Sequence, residues 1–484
     1  MEFNPILIVP EMYQLLLILA LFFQSLGAGP DRPGGAEMPP AERWLPFFAG
    51  FGIFVNIVSW GAEGLIFGGA YKLDALSQFF KLAIAAGFYV AVLNAARQPS
   101  LEERKRPDYF MFLALSAWGL MLLSSAVELI TIYIALEISS YSLYAVIPLR
   151  NADGKGHRGA AEAGIKYILF GAVATAIALY GFSYILASQH TSYIAQLAQC
   201  NWTWDGQPMA VVGLSLFMGG MFYKLALFPF HFWCPDVYQG ASNETAGFVA
   251  TLPKLGAVVV LIRLAVLLKP GLEITTLLAV LGALSMTFGN LCALAQKDLK
   301  RLLGFSSVAH AGYIMVGLVS GTAMGLSAAA FYAMAYVAMN LLCFWVISRV
   351  ASDGRNLQLD DLNGLYKRSP GLAFALGVGA FALVGLPPTM GFMGKFFLIA
   401  SAWDHGYNWL VITLVLNSAI AIYYYLSLVR HAYTHEAGEN LPVPDNSPFS
   451  LCGAGLLAAV VLLFGIAPSG LFSYAILAGK QLLP

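Results

Sequence analysis

The chain has 484 residues, of which 59% are hydrophobic and only 11% charged; soluble domains carry roughly 25% charge, so this is a polytopic membrane protein. Its 26 basic and 26 acidic residues cancel, which removes any bulk electrostatic reason to bind nucleic acid or an acidic substrate. The five cysteines (Cys200, Cys234, Cys292, Cys343 and Cys452) contain no CxxC spacing, which argues against an iron–sulfur cluster, a structural zinc site or a disulfide framework and places any electron chemistry elsewhere.

The opening run MEFNPILIVPEMYQ lacks a basic n-region and reads as a retained span rather than a cleaved signal. Apolar runs of roughly 18–25 residues suit membrane helices. Fourteen occur, at about 5–28, 44–60, 74–97, 109–126, 128–149, 161–188, 209–241, 243–268, 273–295, 302–320, 323–350, 369–403, 407–431 and 449–470. The stretch 29–43 between the first two is a Pro/Gly-rich loop to which the sequence assigns no role. Spans 7 and 12 are too long for one straight crossing, and they contain Pro229 and Pro235, and Pro387 and Pro388. Proline removes a backbone donor and breaks or kinks a helix, so both are expected to be discontinuous, with the freed backbone groups buried in protein or lining a wet cavity.

Lysine and arginine collect in cytoplasmic loops. With the N-terminus outside, the inner loops hold seventeen, from Arg32 and Arg43 through Arg97, Lys155, Arg158, Lys300 and Arg349 to Arg430, against three outside, Lys72, Lys269 and Lys480. Both termini are therefore expected on the outer side. The expected fold is an all-α polytopic membrane protein in a single domain, 1–484. Spans 4–8 (109–268) and 9–13 (273–431) form two five-helix sets, each broken at its fourth member. An odd-numbered repeat enters the bilayer inverted the second time, an arrangement typical of transporters with an ion site near the midplane.

Six basic residues remain within spans: Lys81, Lys166, Lys224, Lys254, Arg263 and Lys395. A charge deep in hydrocarbon calls for a partner, a wet cavity or a role in handling ions. Glu137 lies nine residues from the outer start of its span and Lys254 eleven from the inner start of its own; at ~1.5 Å per residue both are ~14–16 Å deep in a ~30 Å core. Lys224 sits near the middle of the first broken stretch, and Lys395 follows the second proline break by seven residues. These four are the candidates for function. Glu162 and Lys166 have i,i+4 spacing near an inner helix end and read as a salt bridge. Glu128 faces the other way from Glu137 and reads as interfacial, while Lys81 and Arg263 lie nearer span ends and are expected to snorkel. Glu11, beside Pro10, is ambiguous. His231 and His310 fit either a proton relay, since imidazole titrates near neutrality, or a helix-packing donor.

No phosphate-binding GxxxxGK[ST] loop, dinucleotide GxGxxG turn or HExxH motif occurs, and the near-match GVGAFA at 377–382 lies inside a span, where it reads as helix packing. A lysine that exchanges protons near pH 7 must lie about 4 kcal/mol from its behaviour in water. Burial disfavours its charged form and an approaching carboxylate favours it, so moving Glu137 would load and unload a lysine. The chemistry is ion translocation without a cofactor in the chain.

The runs FYKLALFPFHFWCPDVYQGASNETAGFVATLPKLGA, KDLKRLLGFSSVAHAGYIMVGL and GLPPTMGFMGKFFLIASAW resemble the antiporter-like subunits of respiratory complex I, and among these the N-type, over essentially the whole chain. The resemblance implies a membrane-arm subunit of a bacterial NADH:quinone oxidoreductase, in a proton channel driven by quinone chemistry in its neighbours. It implies that NADH, FMN, iron–sulfur clusters and quinone belong to partner subunits, and that M-type and K/J-type subunits adjoin it. It also implies that Glu137 pairs with Lys224, that Lys254 connects two half-channels, and that Lys395 leads to the outer face. M-type subunits usually carry glutamate at the position of Lys395. The long lateral helix of L-type subunits has no counterpart after residue 470. Two other readings are an Mrp-type cation/proton antiporter, which would need intramembrane carboxylates for sodium that are not evident here, and a non-pumping structural subunit.

Overall fold

The computed structural model describes residues 4–27, 41–96, 99–150, 155–268, 272–436, 438 and 440–482. The Pro/Gly-rich loop lies outside these up to residue 40, as do Arg32, Arg97 and Lys269 of the charge count; of Lys155 and Arg158 only the backbone is described.

In chain order the elements are α1 (Val9–Gly27), α2 (Ala41–Val58), a short ribbon of β1 (Gly64–Ile66) and β2 (Tyr71–Leu73), α3 (Ala75–Ala95), α4 (Arg106–Ser125), α5 (Leu129–Val146), α6 (Lys155–Gln189) and α7 (Ile194–Leu197). Then come α8 (Pro208–Leu225), α9 (Trp233–Gly240), α10 (Asn243–Leu264), α11 (Glu273–Leu294), α12 (Leu299–Val319), α13 (Ala323–Val350) and α14 (Leu365–Arg368). The last are α15 (Pro370–Val384), α16 (Met390–Ala402), α17 (Asn408–Thr434), α18 (Pro448–Ile466) and α19 (Ser469–Lys480). Among the described residues, 12 helices are long and apolar enough to cross a membrane. With α2, which is as long as the shortest of them, and the split crossing α15–α16, they account for the fourteen spans read from the sequence. The antiparallel ribbon, paired Gly64 to Leu73, was not legible because each strand has only three residues.

Side-chain caps set where the spans begin, satisfying backbone donors that a helix start leaves free. The Asp74 carboxylate accepts from Ser77 N at 2.9 Å, Glu128 from Thr131 N at 2.8 Å, Asp298 from Arg301 N at 2.9 Å and Thr322 Oγ1 from Gly325 N at 3.0 Å. Glu128 is thus an end cap, in keeping with an interfacial position. At the breaks, α8 closes on Ala226 with φ 61° and α15 on Gly385 with φ 89°. Both are left-handed caps, natural for glycine and costing a residue with a Cβ about 1–2 kcal/mol. The chain then passes its prolines before α9 and α16 begin.

The hydrophobic windows of α10, α12 and α13 are each 94% buried, against 28% for α6 and 39% for α17. The first three form the axis of the bundle, and the others present an apolar outer face. Helices approach closely where glycine replaces a side chain: a Cβ on Gly119 of α4 would lie 2.7 Å from Ser139 N of α5, and one on Gly289 of α11 would lie 2.6 Å from Ala309 N of α12.

Lys81 and Arg263 do not snorkel. Lys81 Nζ meets Glu11 Oε1 at 2.7 Å, both residues 1% exposed, and Tyr71 bridges the pair with its hydroxyl 2.6 Å from Glu11 and 2.7 Å from Lys81. Arg263 grips the Asp74 cap with two nitrogens at 3.0 and 2.9 Å and also donates to Ser124 O. A cation extends to the interface only when nothing nearer satisfies it; here the partners sit on α1 and at the start of α3, far away in sequence. Glu11 is thereby resolved as a structural counter-ion.

Candidate functional site

The first constellation joins α5, α6 and α8. Glu137 lies midway along α5, and Lys224 lies in the last turn of α8, immediately before the break; both are buried. Thr175 Oγ1 of α6 donates to Glu137 Oε1 at 2.7 Å, and Lys224 Nζ donates to Ser140 Oγ at 2.8 Å. Ser140 follows Glu137 by three residues, so hydroxyl and carboxylate share a face of α5 one turn apart. The two charges form no direct ion pair among the described residues. Instead a cavity of about 20 Å³, lined by Glu137, Ser140, Tyr144, Thr175 and Tyr223, lies between the three helices. That volume suits about one water, and its polar lining supplies the partners a buried water needs.

The second constellation is longer and lies on the bundle axis. Lys254 Nζ of α10 donates to Ser307 Oγ of α12 at 2.5 Å. Ser307 is hydrogen-bonded to the Tyr336 hydroxyl of α13 and, at 3.2 Å, to that of Tyr238. The Tyr336 ring lies 5.3 Å from that of His310. His310 Nδ1 then meets Tyr332 OH at 2.7 Å and its Nε2 meets Tyr425 OH at 3.2 Å. Tyr424, ring to ring with Tyr425 at 4.4 Å, donates to Asn290 Oδ1 at 2.8 Å, and Asn290 Nδ2 donates to Tyr313 OH at 3.0 Å. Lys395 Nζ sits 4.4 Å from the centre of the Tyr313 ring and donates to Val384 O at 2.9 Å and Ser418 Oγ at 3.0 Å. Val384 O is a carbonyl freed by the end of α15, so the proline break itself supplies an acceptor for the lysine.

The structure therefore lines up Lys254, His310 and Lys395 along one set of polar groups, joined by ring contacts at Tyr336–His310, Tyr425–Tyr424 and Tyr313–Lys395, and places Glu137 with Lys224 in another. No hydrogen bond joins Lys224 to Lys254 among the described residues. His231 belongs to neither run: it is packed among Phe228, Phe232 and Phe288, with ring centroids at 5.5, 4.5 and 4.8 Å, and its Nδ1 has no partner. Glu162 and Lys166 form the expected pair at 2.6 Å. They also join a larger cluster, with Asp236 2.7 Å from Lys166 and 2.5 Å from Arg301, around an open cavity of about 360 Å³ that Arg150 and Gly240 also line. Sequence reading missed Ser140, Thr175, Ser307, Tyr336, Tyr332, Tyr425, Tyr313 and Ser418. A signal existed for some: Tyr332 and Tyr336 are i,i+4, and Ser307, His310 and Tyr313 follow at intervals of three, so each set shares a helix face.

Chemically, these groups can hold and pass protons. Hydroxyls both donate and accept, imidazole does either at its two nitrogens, and an ammonium can release to a neighbour that accepts. Among the described residues no three His, Cys, Asp or Glu side chains gather to hold a metal ion.

Buried lysines at two broken helices, one beside a midplane glutamate and the other at the end of a hydroxyl and imidazole run, define an antiporter-like membrane subunit. Residues 126–421 match the NADH:quinone oxidoreductase/Mrp antiporter transmembrane family, and the chain belongs to it. A curated relative, NADH-quinone oxidoreductase subunit N 2 of Solidesulfovibrio magneticus, is 58% identical over 477 residues, covering 99% of each chain. A chain of respiratory complex I from Thermus thermophilus matches with TM-score 0.82 at 30% identity, covering 96% of this chain and 98% of that one. A chain of the Mrp complex from Dietzia matches with TM-score 0.86 at 18% identity, covering 99% and 98%, which shows a shared fold.

Proposed function

We propose that this chain is the N-type antiporter-like subunit of a bacterial NADH:quinone oxidoreductase and moves protons across the cytoplasmic membrane. The observation that carries this reading is the buried run from Lys254 through Ser307, Tyr336, His310 and Tyr425 to Lys395, every member of which is a proton donor, acceptor or both. A proton leaves the Lys254 ammonium for Ser307 while the serine passes its own onward. The imidazole takes a proton at one nitrogen and releases one at the other, and Lys395 discharges toward the outer face beside the second break. Glu137 acts on the other lysine: when its carboxylate turns from Thr175 toward Lys224, the ammonium is favoured, and when it turns back the proton is freed to move on.

NADH, FMN, iron–sulfur clusters and quinone act in partner subunits, with an M-type and a K/J-type subunit as neighbours along the membrane. Both termini lie on the outer side. Residues 109–268 and 273–431 are inverted repeats; the left-handed caps at Ala226 and Gly385 and the matched glycine contacts of α4 on α5 and α11 on α12 support this.

The test is Lys254→Met in the assembled complex. Proton uptake per NADH oxidised is measured in inverted membrane vesicles, with a native gel to establish assembly. The reading expects uptake to be lost at intact assembly. Unchanged uptake overturns it, and sodium/proton exchange by the isolated chain would replace it with an Mrp-type antiporter.

A further inference from the structure

Lys254 must be supplied with protons from somewhere, and the run described above leads only away from it. Following α10 inward leads to Glu244, in the first turn of the helix, which is 4% exposed and whose Oε2 has no hydrogen-bond partner. The charges of Arg349, Lys300 and Arg150 act on it, as does its carboxylate on Tyr109 of α4, whose hydroxyl lies 3.0 Å from Thr245. A structural counter-ion would grip one of these cations, as Asp74 grips Arg263. Glu244 forms no ion pair among the described residues. Among the described residues the cations donate to other acceptors: Lys300 Nζ to Ala241 O at 2.6 Å, Arg150 to Ala241 O at 3.2 Å and Gly354 O at 2.7 Å, and Arg349 to Asn94 Oδ1 at 3.2 Å, while Arg150 Nε has no hydrogen-bond partner among them. Glu244 is thus buried within reach of three cations, paired with none of them and with one oxygen unpartnered among the described residues, an arrangement that leaves the carboxylate able to take up and give away a proton.

A seam connects it to Lys254. On α13 the residues Tyr336, Asn340 and Phe344 follow at intervals of four and share one face, and that face meets α10. Tyr336 OH donates to Ala250 O at 3.1 Å, and a Cβ on Gly247 would lie 3.0 Å from Phe344 Cβ. Asn340, between them, donates to Tyr336 O at 2.9 Å and leaves its buried Oδ1 without a partner. From the inner end outward the order is Glu244, the Gly247–Phe344 contact, Asn340, then Tyr336 and Lys254. Ten residues of α10 separate the two charges, ~15 Å along the axis. Two unpartnered buried oxygens in one seam are sites where transient water would be held, with Phe344 as an apolar step between them.

We propose that Glu244 is the inner-side proton acceptor for Lys254, and that the α10/α13 seam past Phe344 and Asn340 is the path between them. The carboxylate accepts a proton that enters from the inner aqueous phase as hydronium and is relayed by water from the cavity lined by Arg150 and Gly240, and it becomes the carboxylic acid. It then gives that proton, through water in the seam, to the Lys254 amine, which becomes the ammonium, and the carboxylate is restored. This inference rests on the proton-translocating reading proposed above.

The test uses the assembled complex in inverted membrane vesicles and compares Glu244→Gln, Glu244→Asp and Lys254→Met with wild type for NADH-driven proton uptake and for turnover against pH. Arg150, Lys300, Arg349, Tyr109 and Asp298 near Lys300 remain in every variant, so a displaced profile reports the carboxylate. Glu244→Gln is expected to assemble and to lose about 100-fold in uptake rate, the low side of what removing a proton-transfer group costs. Glu244→Asp is expected to retain most of the uptake with a displaced pH profile. Normal uptake in Glu244→Gln with impaired Lys254→Met overturns this inference and leaves the wider reading standing; normal uptake in both overturns both. An Asp variant as slow as the Gln variant also overturns it. Should Glu244→Gln fail to assemble, the Asp variant decides: a displaced profile supports the proposal and an unchanged one overturns it.

Discussion

Two kinds of buried lysine occupy this bundle. On α3, Lys81 is fixed by a carboxylate at 2.7 Å and a tyrosine that touches both charges. Deeper along the helices, Lys224, Lys254 and Lys395 donate, among the described residues, to hydroxyls and a carbonyl or lie over aromatic faces, and none is ion-paired. An ammonium beside a carboxylate is held charged, and separating the two leaves an uncompensated ion in the interior. An ammonium bonded to neutral acceptors has no such anchor, and an acceptor hydroxyl can take the proton and pass another on. Similar burial therefore serves opposite ends: the paired lysine fastens α3 to α1, while the unpaired ones are free to change protonation.

The largest expected effect breaks the pair of Lys81 and Glu11. Lys81→Met leaves Glu11 buried without its counter-ion and is expected to destabilise the subunit by about 3–5 kcal/mol, read as loss of assembled complex on a native gel. At the midplane the same kind of change should do the reverse. Lys395→Met removes an ammonium whose partners are neutral, so assembly is expected to survive while proton uptake falls by about 100-fold; loss of assembly instead would make Lys395 a structural lysine like Lys81. Lys395→Arg sharpens this, because arginine keeps the charge but does not deprotonate in proteins, and slowed uptake at normal assembly is expected. Glu137→Gln keeps the size of the side chain and its bond with Thr175 but not the charge. Uptake is expected to fall about tenfold, the equivalent of roughly 1.4 kcal/mol less stabilisation of the Lys224 ammonium, and wild-type uptake measured with a pH-sensitive dye would show that the carboxylate is dispensable. The smallest effect is expected from Tyr332→Phe, which removes the hydroxyl on His310 that lies off the run to Lys395 and leaves Tyr425 in place. A loss of about twofold to threefold in uptake rate is expected, the worth of one neutral hydrogen bond of roughly 0.5 kcal/mol.

Much of this arrangement was legible in the sequence, because membrane helices are long and their breaks are marked by proline. The span order, both broken helices and the four midplane charges all follow from run length, proline position and depth. The fates of Lys81 and Arg263 did not, since their partners Glu11 and Asp74 come together only through packing: Asp74 lies 189 residues from Arg263. The resemblance implied that Glu137 pairs with Lys224; what it could not show is that each is held by a hydroxyl, Thr175 on the carboxylate and Ser140 on the lysine, beside a small cavity. The polar run between Lys254 and Lys395 escaped notice for a different reason. Serine and tyrosine are ordinary within membrane helices, and only the meeting of α12, α13 and α17 around His310 shows which of them share a path. His231 illustrates the converse, an imidazole near a broken helix that packing places among phenylalanines.

His310 separates a proton path from a set of packing contacts most directly, because its two ring nitrogens join Tyr332 and Tyr425 and it stands between the two lysines. Glutamine at this position retains a donor and an acceptor for the two tyrosines but does not take up a proton near neutral pH. The measurement is NADH-driven proton uptake per NADH oxidised in inverted membrane vesicles carrying His310→Gln, with a native gel confirming assembly. A conducting run from Lys254 to Lys395 predicts normal assembly with uptake reduced by about 100-fold or more. Uptake and turnover equal to wild type would contradict it and leave His310 a helix-packing residue.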